Sequence, residues 1–215
     1  MKKTGKFRLG RRTVFGAIVA TAFAMALATG CAASMTRHLE GDGAVESRER
    51  PAFGFDAVEH GGVGNVRVHP GEDFRVVVTA DGNLQDFVGI AVRDGVLVIY
   101  EAAEDLRPLS LRATELTVDV YLPALRAVEL RGTGNLTVGP GSAPYLSVSV
   151  SGAGNVCAGS FEAQEVEVAL SGAGGARVFA TGELYGNVSG IGDVVLFGGA
   201  SNRVVASGPG KVTRG

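Results

Sequence analysis

The sequence predicts an all-β protein: a right-handed parallel β-helix with coils of about 18 to 20 residues and some antiparallel pairing near its N-terminal end. Two observations predict this fold. A short motif with two glycines, of the type Ser-Gly-Ala-Gly-Asn-Val, recurs at nearly constant spacing. On both sides of it, apolar residues alternate with tolerant ones, which is the period of a strand with one buried face. An antiparallel sandwich is the competing fold, but it gives no reason to repeat one corner in every coil.

The first thirty residues are predicted to be a lipoprotein signal peptide. Six Lys and Arg and no acidic residue accompany an apolar run, Val14–Ala28, which ends just before Cys31. This run is shorter than the ~20 residues of a membrane-spanning helix. The stretch Leu27–Cys31 resembles the lipobox of bacterial lipoproteins, although Ala28 stands where a larger aliphatic residue is usual. The resemblance implies that the Cys31 thiol is acylated and anchors the protein to the membrane.

Removal of residues 1–30 makes the remaining chain acidic. The leader holds 6 of the 20 Lys and Arg and none of the 22 Asp and Glu, so 14 basic and 22 acidic residues remain, a formal net charge of −8. This charge argues against nucleic acid or anionic lipid as the partner. With Cys31 acylated, Cys157 has no partner for an intramolecular disulfide, so the fold must rely on its apolar core.

The chain after the leader divides into two predicted regions. Residues 31–51 are polar, charged and without a sustained apolar period, which predicts a flexible tether. Residues 52–215 are rich in strand and turn signals and are predicted to form the domain. Within it, Asp94 and Gly95 between two valine-rich runs indicate a hairpin with a type I′ turn, the source of the expected antiparallel pairing.

The repeated motif supplies the corners of the predicted coils. Its five copies begin at Arg131, Ser151, Ser171, Ser189 and Ser207, and a weaker copy begins at Gly61. Each glycine pair lies between two predicted strands, where the chain must turn without a Cβ in the way. The predicted structural corner positions are Gly132, Gly134, Gly152, Gly154, Gly172, Gly174, Gly190, Gly192, Gly208 and Gly210.

The period of two also predicts which side chains point away from the core in the strand that follows each corner. The outward column reads Arg67, Thr137, Cys157, Arg177, Val195 and Thr213. Cys157 is therefore a candidate exposed thiol, and the neighbouring guanidinium of Arg177 would make it more reactive. The alternative is that Cys157 is a small residue tolerated in a strand.

In the order and spacing of these motifs, the sequence resembles one family, the putative auto-transporter adhesin, head GIN domain. The resemblance runs through 55–88, 92–100 and 116–138 and is completed by the glycine repeats. It implies a fold similar to right-handed parallel β-helices in a secreted or lipid-anchored envelope protein of bacteria, without an established biochemical role. His60 departs from the pattern, because the later coils have an apolar residue there, and it indicates a cap or an irregular first turn.

The glycine motif does not fit the ligand-binding loops that it partly matches. A dinucleotide-binding loop needs a third glycine and a following helix, and neither is present. A calcium-binding roll needs a column of carboxylates. The residues that directly follow the second glycine in the five copies include only one carboxylate: they are Asn135, Asn155, Gly175, Asp193 and Lys211. No metal, cofactor or catalytic residue is therefore predicted. Arg177 and Asp193 are expected to be neighbours across adjacent coils.

The predicted function is a non-catalytic, lipid-anchored cell-envelope protein, an adhesion, envelope-binding or structural module. We expect export by the general secretion pathway and a place on the periplasmic face or surface of the outer membrane. The expected partners are the membrane, through the lipid on Cys31, and a glycan, the cell wall or an envelope protein, with no nucleic acid. The alternative is a polysaccharide lyase or glycosidase, which would need charged residues converging beside a groove.

Overall fold

The computed structural model describes residues 37–102 and 109–215. The predicted signal peptide 1–30 and the lipidation site Cys31 lie outside these residues. The described chain is all-β, as predicted, with one short 3₁₀ helix, Gly82–Phe87. Its strands are β1 Arg37–Glu40, β2 Val45–Arg50, β3 Ala57–His60, β4 Asn65–Pro70, β5 Arg75–Asp81, β6 Val88–Arg93, β7 Val96–Glu101, β8 Leu109–Arg112, β9 Leu116–Leu122, β10 Ala127–Leu130, β11 Leu136–Val138, β12 Gly141–Val150, β13 Val156–Leu170, β14 Ala176–Val188, β15 Val194–Phe197, β16 Ser201–Ala206 and β17 Val212–Arg214.

Two ladders of parallel strands form the body of the domain. The first ladder runs from β7 through β3, β10 and the C-terminal parts of β12, β13 and β14 to β16. The second runs from β9 through β4, β11 and the N-terminal parts of β13 and β14 to β15 and β17. Each repeat contributes one strand to each ladder, so the corner that separates the two strands recurs in every repeat.

The register of the ladders follows the spacing of the sequence repeat. Val128 pairs with Val148, and Ala176 pairs with Val194, so each residue meets its counterpart in the next copy of the motif. The weaker copy at Gly61 lies directly against the copy at Arg131, because Val66 pairs with Leu136 although a long segment separates them in the chain. That segment forms β5 to β9 and the short helix.

Among the described strands, antiparallel pairing occurs only near the N-terminal end. β2 pairs with β5, β5 with β9, and β6 with β7 in antiparallel register. The turn between β6 and β7 has positive φ at Asp94 (50°) and Gly95 (77°), which a type I′ hairpin requires. The mixed pairing expected in this region is therefore present.

The prediction of a flexible tether is wrong for residues 37–50, which contain β1 and β2. β1 pairs with β8, and β2 pairs with β5, with Val45 opposite Asp81. The buried carboxylate of Asp81 accepts hydrogen bonds from the backbone N–H groups of Gly43 (2.9 Å) and Thr114 (2.7 Å). The local sequence is polar, but its strands are held by partners distant in the chain, which a local pattern does not reveal.

The core lies between the two ladders and consists of the inward residues of each repeat. These residues are mainly Val, Leu and Ala and are almost fully buried. The buried polar residues among those described all precede Val120: His60, Asp81, Gln85 and Thr117. The repeats that begin with β10 thus have an interior without buried polar side chains, and the region before them does not.

His60 occupies a core position in regular register rather than an irregular turn. It pairs with Ile99 on one side and Leu130 on the other. Its Nε2 lies 3.1 Å from the carbonyl oxygen of Gly64, and its Nδ1 has no hydrogen-bond partner among the described residues. Burial lowers the pKa of His60, and the backbone carbonyls of Gly64 and Thr133 oppose this only in part.

The helical content of the described residues is limited to the single 3₁₀ turn, and none of it is long and apolar enough to cross a membrane.

Candidate functional site

The predicted corner glycines stack on one another, and their backbones are in close contact. A Cβ on Gly154 would overlap the carbonyl oxygen of Gly134, and a Cβ on Gly174 would overlap that of Gly154. The same overlap with the backbone of the neighbouring repeat holds for the other positions, Gly132, Gly134, Gly152, Gly172, Gly190, Gly192, Gly208 and Gly210. Close stacking therefore explains the glycines, and it leaves the motif no open backbone cradle for an anion.

The residues directly after the corners form an amide ladder along the outer edge. The side-chain oxygen of Asn65 accepts from the backbone N–H of Asn135 (3.2 Å), and that of Asn155 accepts from the backbone N–H of Gly175 (3.0 Å). The amide of Asn155 donates to the side-chain oxygen of Asn135 at 3.4 Å. The ladder ties adjacent repeats together and leaves amide N–H groups directed outward.

The outer surface of the second ladder is the candidate site, and we call it the arginine face. Its central row is a line of register partners: Asp119, Arg67, Thr137, Cys157, Arg177, Val195 and Thr213. The amide ladder borders this row on one side. Cys157 is a free, half-exposed thiol between Thr137 and Arg177, the neighbours expected from the sequence.

An open cleft of about 490 Å³ lies on the arginine face near β13, β14 and β15. Asn155, Cys157, Arg177 and Asp193 are among the residues that line it. Gly175, which takes the place of an asparagine in the amide ladder, also lines the cleft. Arg177 is exposed and has no hydrogen bond or ion pair with any residue in the described part of the chain.

A stacked cluster stands at the opposite end of the arginine face. The ring of His69 stacks on that of Tyr121 with centroids 4.4 Å apart, and the guanidinium of Arg75 lies 3.9 Å from the centroid of Tyr121. His69 Nε2 lies 2.9 Å from an Asp119 carboxylate oxygen. Arg67 reaches the same carboxylate only at 4.0 Å, and its side chain is 57% exposed.

The outer surface of the first ladder differs in charge, and we call it the glutamate face after Glu59, Glu129, Glu165, Glu167 and Glu183. Arg131 lies 2.7 Å from Glu129, and Arg203 lies 2.9 Å from Glu183. The hydroxyl of Tyr145 donates a hydrogen bond to Glu167. Burial, together with this carboxylate, raises the pKa of Tyr145 to about 12. Most of the charges on this face are thus bound to one another.

The structure brings some of the predicted residues together and separates others. Arg177 is in register with Val195, not with Asp193, and within residues 37–102 and 109–215 no ion pair joins Arg177 to Asp193. The carboxylate of Asp193 instead accepts from the backbone N–H of Lys211 at 3.0 Å. The same residues contain no group of three His, Cys, Asp or Glu side chains able to hold a metal ion.

Sequence reasoning missed the cluster of His69, Asp119, Tyr121 and Arg75. These residues come from β4, β9 and β5, and they meet only because β9 lies between the other two strands. The alternation of buried and exposed residues along each strand indicates that these side chains share one face of a sheet. The sequence pattern does not indicate that β9 lies between β4 and β5.

A comparison with protein families confirms the resemblance that the order of the motifs indicates. The family model described as "Putative auto-transporter adhesin, head GIN domain" matches residues 54–140 and 133–200. Among curated proteins, none matches the chain.

Solved structures with a similar chain include proteins from three bacteria. A putative adhesin from Bacteroides fragilis NCTC 9343 has 16% identity and a TM-score of 0.47, with 82% of this chain and 99% of that chain covered. A putative lipid binding protein from Parabacteroides distasonis ATCC 8503 has 19% identity and a TM-score of 0.39, with 82% and 100% covered. A putative cell adhesion protein from Clostridium sporogenes ATCC 15579 has 11% identity and a TM-score of 0.39, with 79% and 98% covered.

Proposed function

The chain belongs to the putative auto-transporter adhesin, head GIN domain family, and on that premise we propose that it is a non-catalytic adhesion or envelope-binding module. Its ligand is a glycan, the cell wall or another envelope protein. The observation that carries this proposal is the arginine face, where the exposed side chains of Arg67 and Arg177 stand in one row of register partners beside the amide ladder. Aligned polar rows suit a ligand that is itself a repeating polymer.

The proposal includes a lipid anchor and the architecture that presents the face. Residues 1–30 would be the signal peptide, and Cys31 would carry the lipid that holds the domain at the periplasmic face or surface of the outer membrane. The two parallel ladders and their stacked corners support a right-handed parallel β-helix as the form of the repeats. Such a stack would hold the arginine face rigid, since every repeat is bonded to the next.

The distance between Asp119 and Asp193 does not suit glycoside hydrolysis by these two carboxylates. Hydrolysis by the usual mechanism needs two carboxyl groups within about 5 to 9.5 Å of each other. Asp119 belongs to β9 and Asp193 directly precedes β15, and these two strands are five strand steps apart in the second ladder. At ~4.8 Å per step the two groups are separated by roughly 24 Å.

Two measurements test this proposal. Replacing Cys31 by Ala should release the protein from the membrane fraction into the soluble fraction, and a Cys157→Ala variant serves as the matched control. Unchanged pelleting of the Cys31→Ala protein would contradict the anchor. The full chain in mild detergent should also bind to a glycan array or to an envelope extract. Absence of binding to both would contradict the adhesion or envelope-binding role.

A polysaccharide lyase is the second candidate, favoured by the His69–Asp119 pair beside Arg67. Because Nε2–H of His69 donates to Asp119, its unprotonated Nδ1 would take the proton α to a substrate carboxylate held by Arg67. The glycosidic C–O bond would then break, giving a C=C bond and a sugar alkoxide that water protonates. Incubation with a uronic acid polymer tests this candidate. Unsaturated, ultraviolet-absorbing ends that are lost in a His69→Gln variant would support it, and no increase in absorbance would exclude it for that polymer.

A further inference from the structure

We propose that the arginine face, between Arg67 and Arg177, binds a carboxylated polysaccharide. This inference rests on the proposed binding function and adds the chemical class of its ligand. Positive charge on one face of a chain that is otherwise acidic is the first reason to expect a carboxylated ligand. Two exposed arginines stand in one outward row: Arg67 reaches Asp119 only at 4.0 Å, and Arg177 has no ion pair or hydrogen bond in the part of the chain that the structure describes.

The arginines are spaced for a polymer and not for a single sugar. Arg67, Thr137, Cys157 and Arg177 are consecutive register partners, so three strand steps separate the two arginines. At ~4.8 Å per step the distance between their backbones is roughly 14 Å. A monosaccharide cannot reach both guanidinium groups, whereas an oligosaccharide with a carboxylate on several residues can.

The surface between the two arginines, which we call the floor, carries only small side chains. Groups that can contact sugar rings border it. Thr137 and Cys157 are small, and Gly139, which follows Thr137 on the same side of the chain, contributes no side chain. The ring of His69 stands at one end of this floor, and near the other the ring of Phe197 lies where a Cβ on Gly159 would come within 3.2 Å of it. Aromatic rings offer apolar surface to a sugar, and the outward amides of the neighbouring ladder offer hydrogen-bond donors.

Charge complementarity selects carboxylate as the ligand group. Guanidinium groups bind carboxylates with two parallel hydrogen bonds, which gives both strength and geometric specificity. The glutamate face would repel the same polymer, since it carries Glu59, Glu129, Glu165, Glu167 and Glu183. The net charge of −8 after the leader likewise disfavours nucleic acid, which has a much higher charge density.

Binding of galacturonic acid oligomers to the full chain in mild detergent tests the assignment. We expect the unmodified oligomer to bind, the fully methyl-esterified oligomer to lose at least about tenfold in affinity, and the monomer to bind weakly. Affinity for the unmodified oligomer should fall as salt is raised, because exposed charges are screened. Equal affinity for the esterified oligomer, or for single-stranded DNA at equal charge, would overturn the proposal.

Matched arginine variants locate the site. Arg67→Ala and Arg177→Ala should each weaken binding about tenfold, and the lysine variants should lose less because they keep the charge but not the bidentate geometry. Arg131→Ala is the control, since Arg131 on the other face is equally exposed, at 56% against 57% for Arg67. Wild-type affinity in both alanine variants, at unchanged circular dichroism, would overturn the proposal.

The outcomes separate this inference from the broader function. If the chain binds neutral glycans or an envelope extract and the arginine variants bind equally well, the carboxylate assignment fails and the adhesion function stands. If no glycan or envelope component binds at all, the adhesion function fails as well.

Discussion

Arg126, Arg131 and Arg203, beside the glutamate face, each lie between 2.7 and 3.0 Å from a carboxylate oxygen. On the arginine face, Arg67 approaches a carboxylate only at 4.0 Å, and Arg177 has no partner among the described residues. Both faces are built from the same repeats and the same registers. Close ion pairs therefore hold neighbouring repeats together beside the glutamate face, whereas the guanidinium groups of Arg67 and Arg177 remain accessible to solvent.

The pKa directions on the glutamate side agree with internal pairing. A hydrogen bond from Arg126 is the main effect on Asp56, and it lowers the pKa of that carboxyl despite its partial burial. The hydrogen bond with Glu129 raises the pKa of Arg131, and the charges of Glu129 and Glu59 add to this. These groups keep their charges because each has a partner of opposite sign.

The largest expected effect comes from breaking the corner that both faces share. Gly174→Ala places a Cβ against the carbonyl of Gly154, and the stacked backbone cannot move away without disturbing both ladders. We expect a loss of about 3 kcal/mol or more in the free energy of unfolding, measured by chemical denaturation. Gly199→Ala is the control, since a Cβ there meets nothing within 4 Å, and it should change stability by less than about 0.5 kcal/mol. Equal stability of the two variants would show that corner stacking is not what requires glycine.

A smaller effect is expected from the buried histidine between the two faces. The pKa of His60 is lowered in the folded protein, so the unfolded chain binds the proton more readily. The stabilisation is complete above about pH 6.5, the ordinary pKa of histidine, and is lost as the pH falls towards the folded pKa. The slope is at most about 1.4 kcal/mol per pH unit.

A His60→Leu variant isolates this contribution. It places in the first repeat the residue type that Leu130 provides in the next, so its stability should depend less on pH between 4 and 7. The measurement is the unfolding free energy of both proteins across that range. Parallel pH profiles for the wild type and the variant would contradict the assignment to His60.

The next effect concerns the ion pairs of the glutamate face. Arg131→Ala removes the contacts with Glu129 and Glu59, but both partners are partly exposed to solvent. The expected loss in unfolding free energy is therefore small, and it should shrink as salt is raised. A loss as large as that of Gly174→Ala in denaturant titrations would mean that this face holds the repeats together more strongly than its exposure implies.

The smallest effect is a shift in one titration without a change in stability. Tyr145 has its pKa raised to about 12, mainly by burial and then by the hydrogen bond with Glu167. In the folded protein it should ionise only at a pH well above about 10, the ordinary pKa of a tyrosine side chain, as followed by tyrosinate absorbance. Tyr145→Phe should remove that late step. If the high-pH absorbance curves of the wild type and the Tyr145→Phe variant have the same shape while the circular dichroism is native, Tyr145 is not shielded as described.

The repeats make much of the second half predictable from the sequence. The intervals between successive glycine motifs are also the offsets between paired strands, and alternation alone identifies Cys157 as the neighbour of Thr137 and Arg177. Repetition makes register a local property, since each copy pairs with the next.

The first half could not be predicted in the same way, because its pairings are not local. The polar sequence of β2 indicates a tether, but its partner β5 lies beyond both β3 and β4 in the chain. The carboxylate of Asp81 holds backbone groups 38 residues before it and 33 after it. The cluster around His69 needs the strand order β4–β9–β5, which a pattern of alternating residues does not contain.

Amide NMR shifts mapped during titration with a galacturonic acid oligomer show whether Arg67 and Arg177 form a ligand site. We predict that the largest shifts fall on Thr137, Cys157 and Arg177, with a smaller set near His69. Shifts concentrated around Glu129 and Glu183, or none at a saturating concentration of the oligomer, would contradict the assignment of the arginine face as the site of binding.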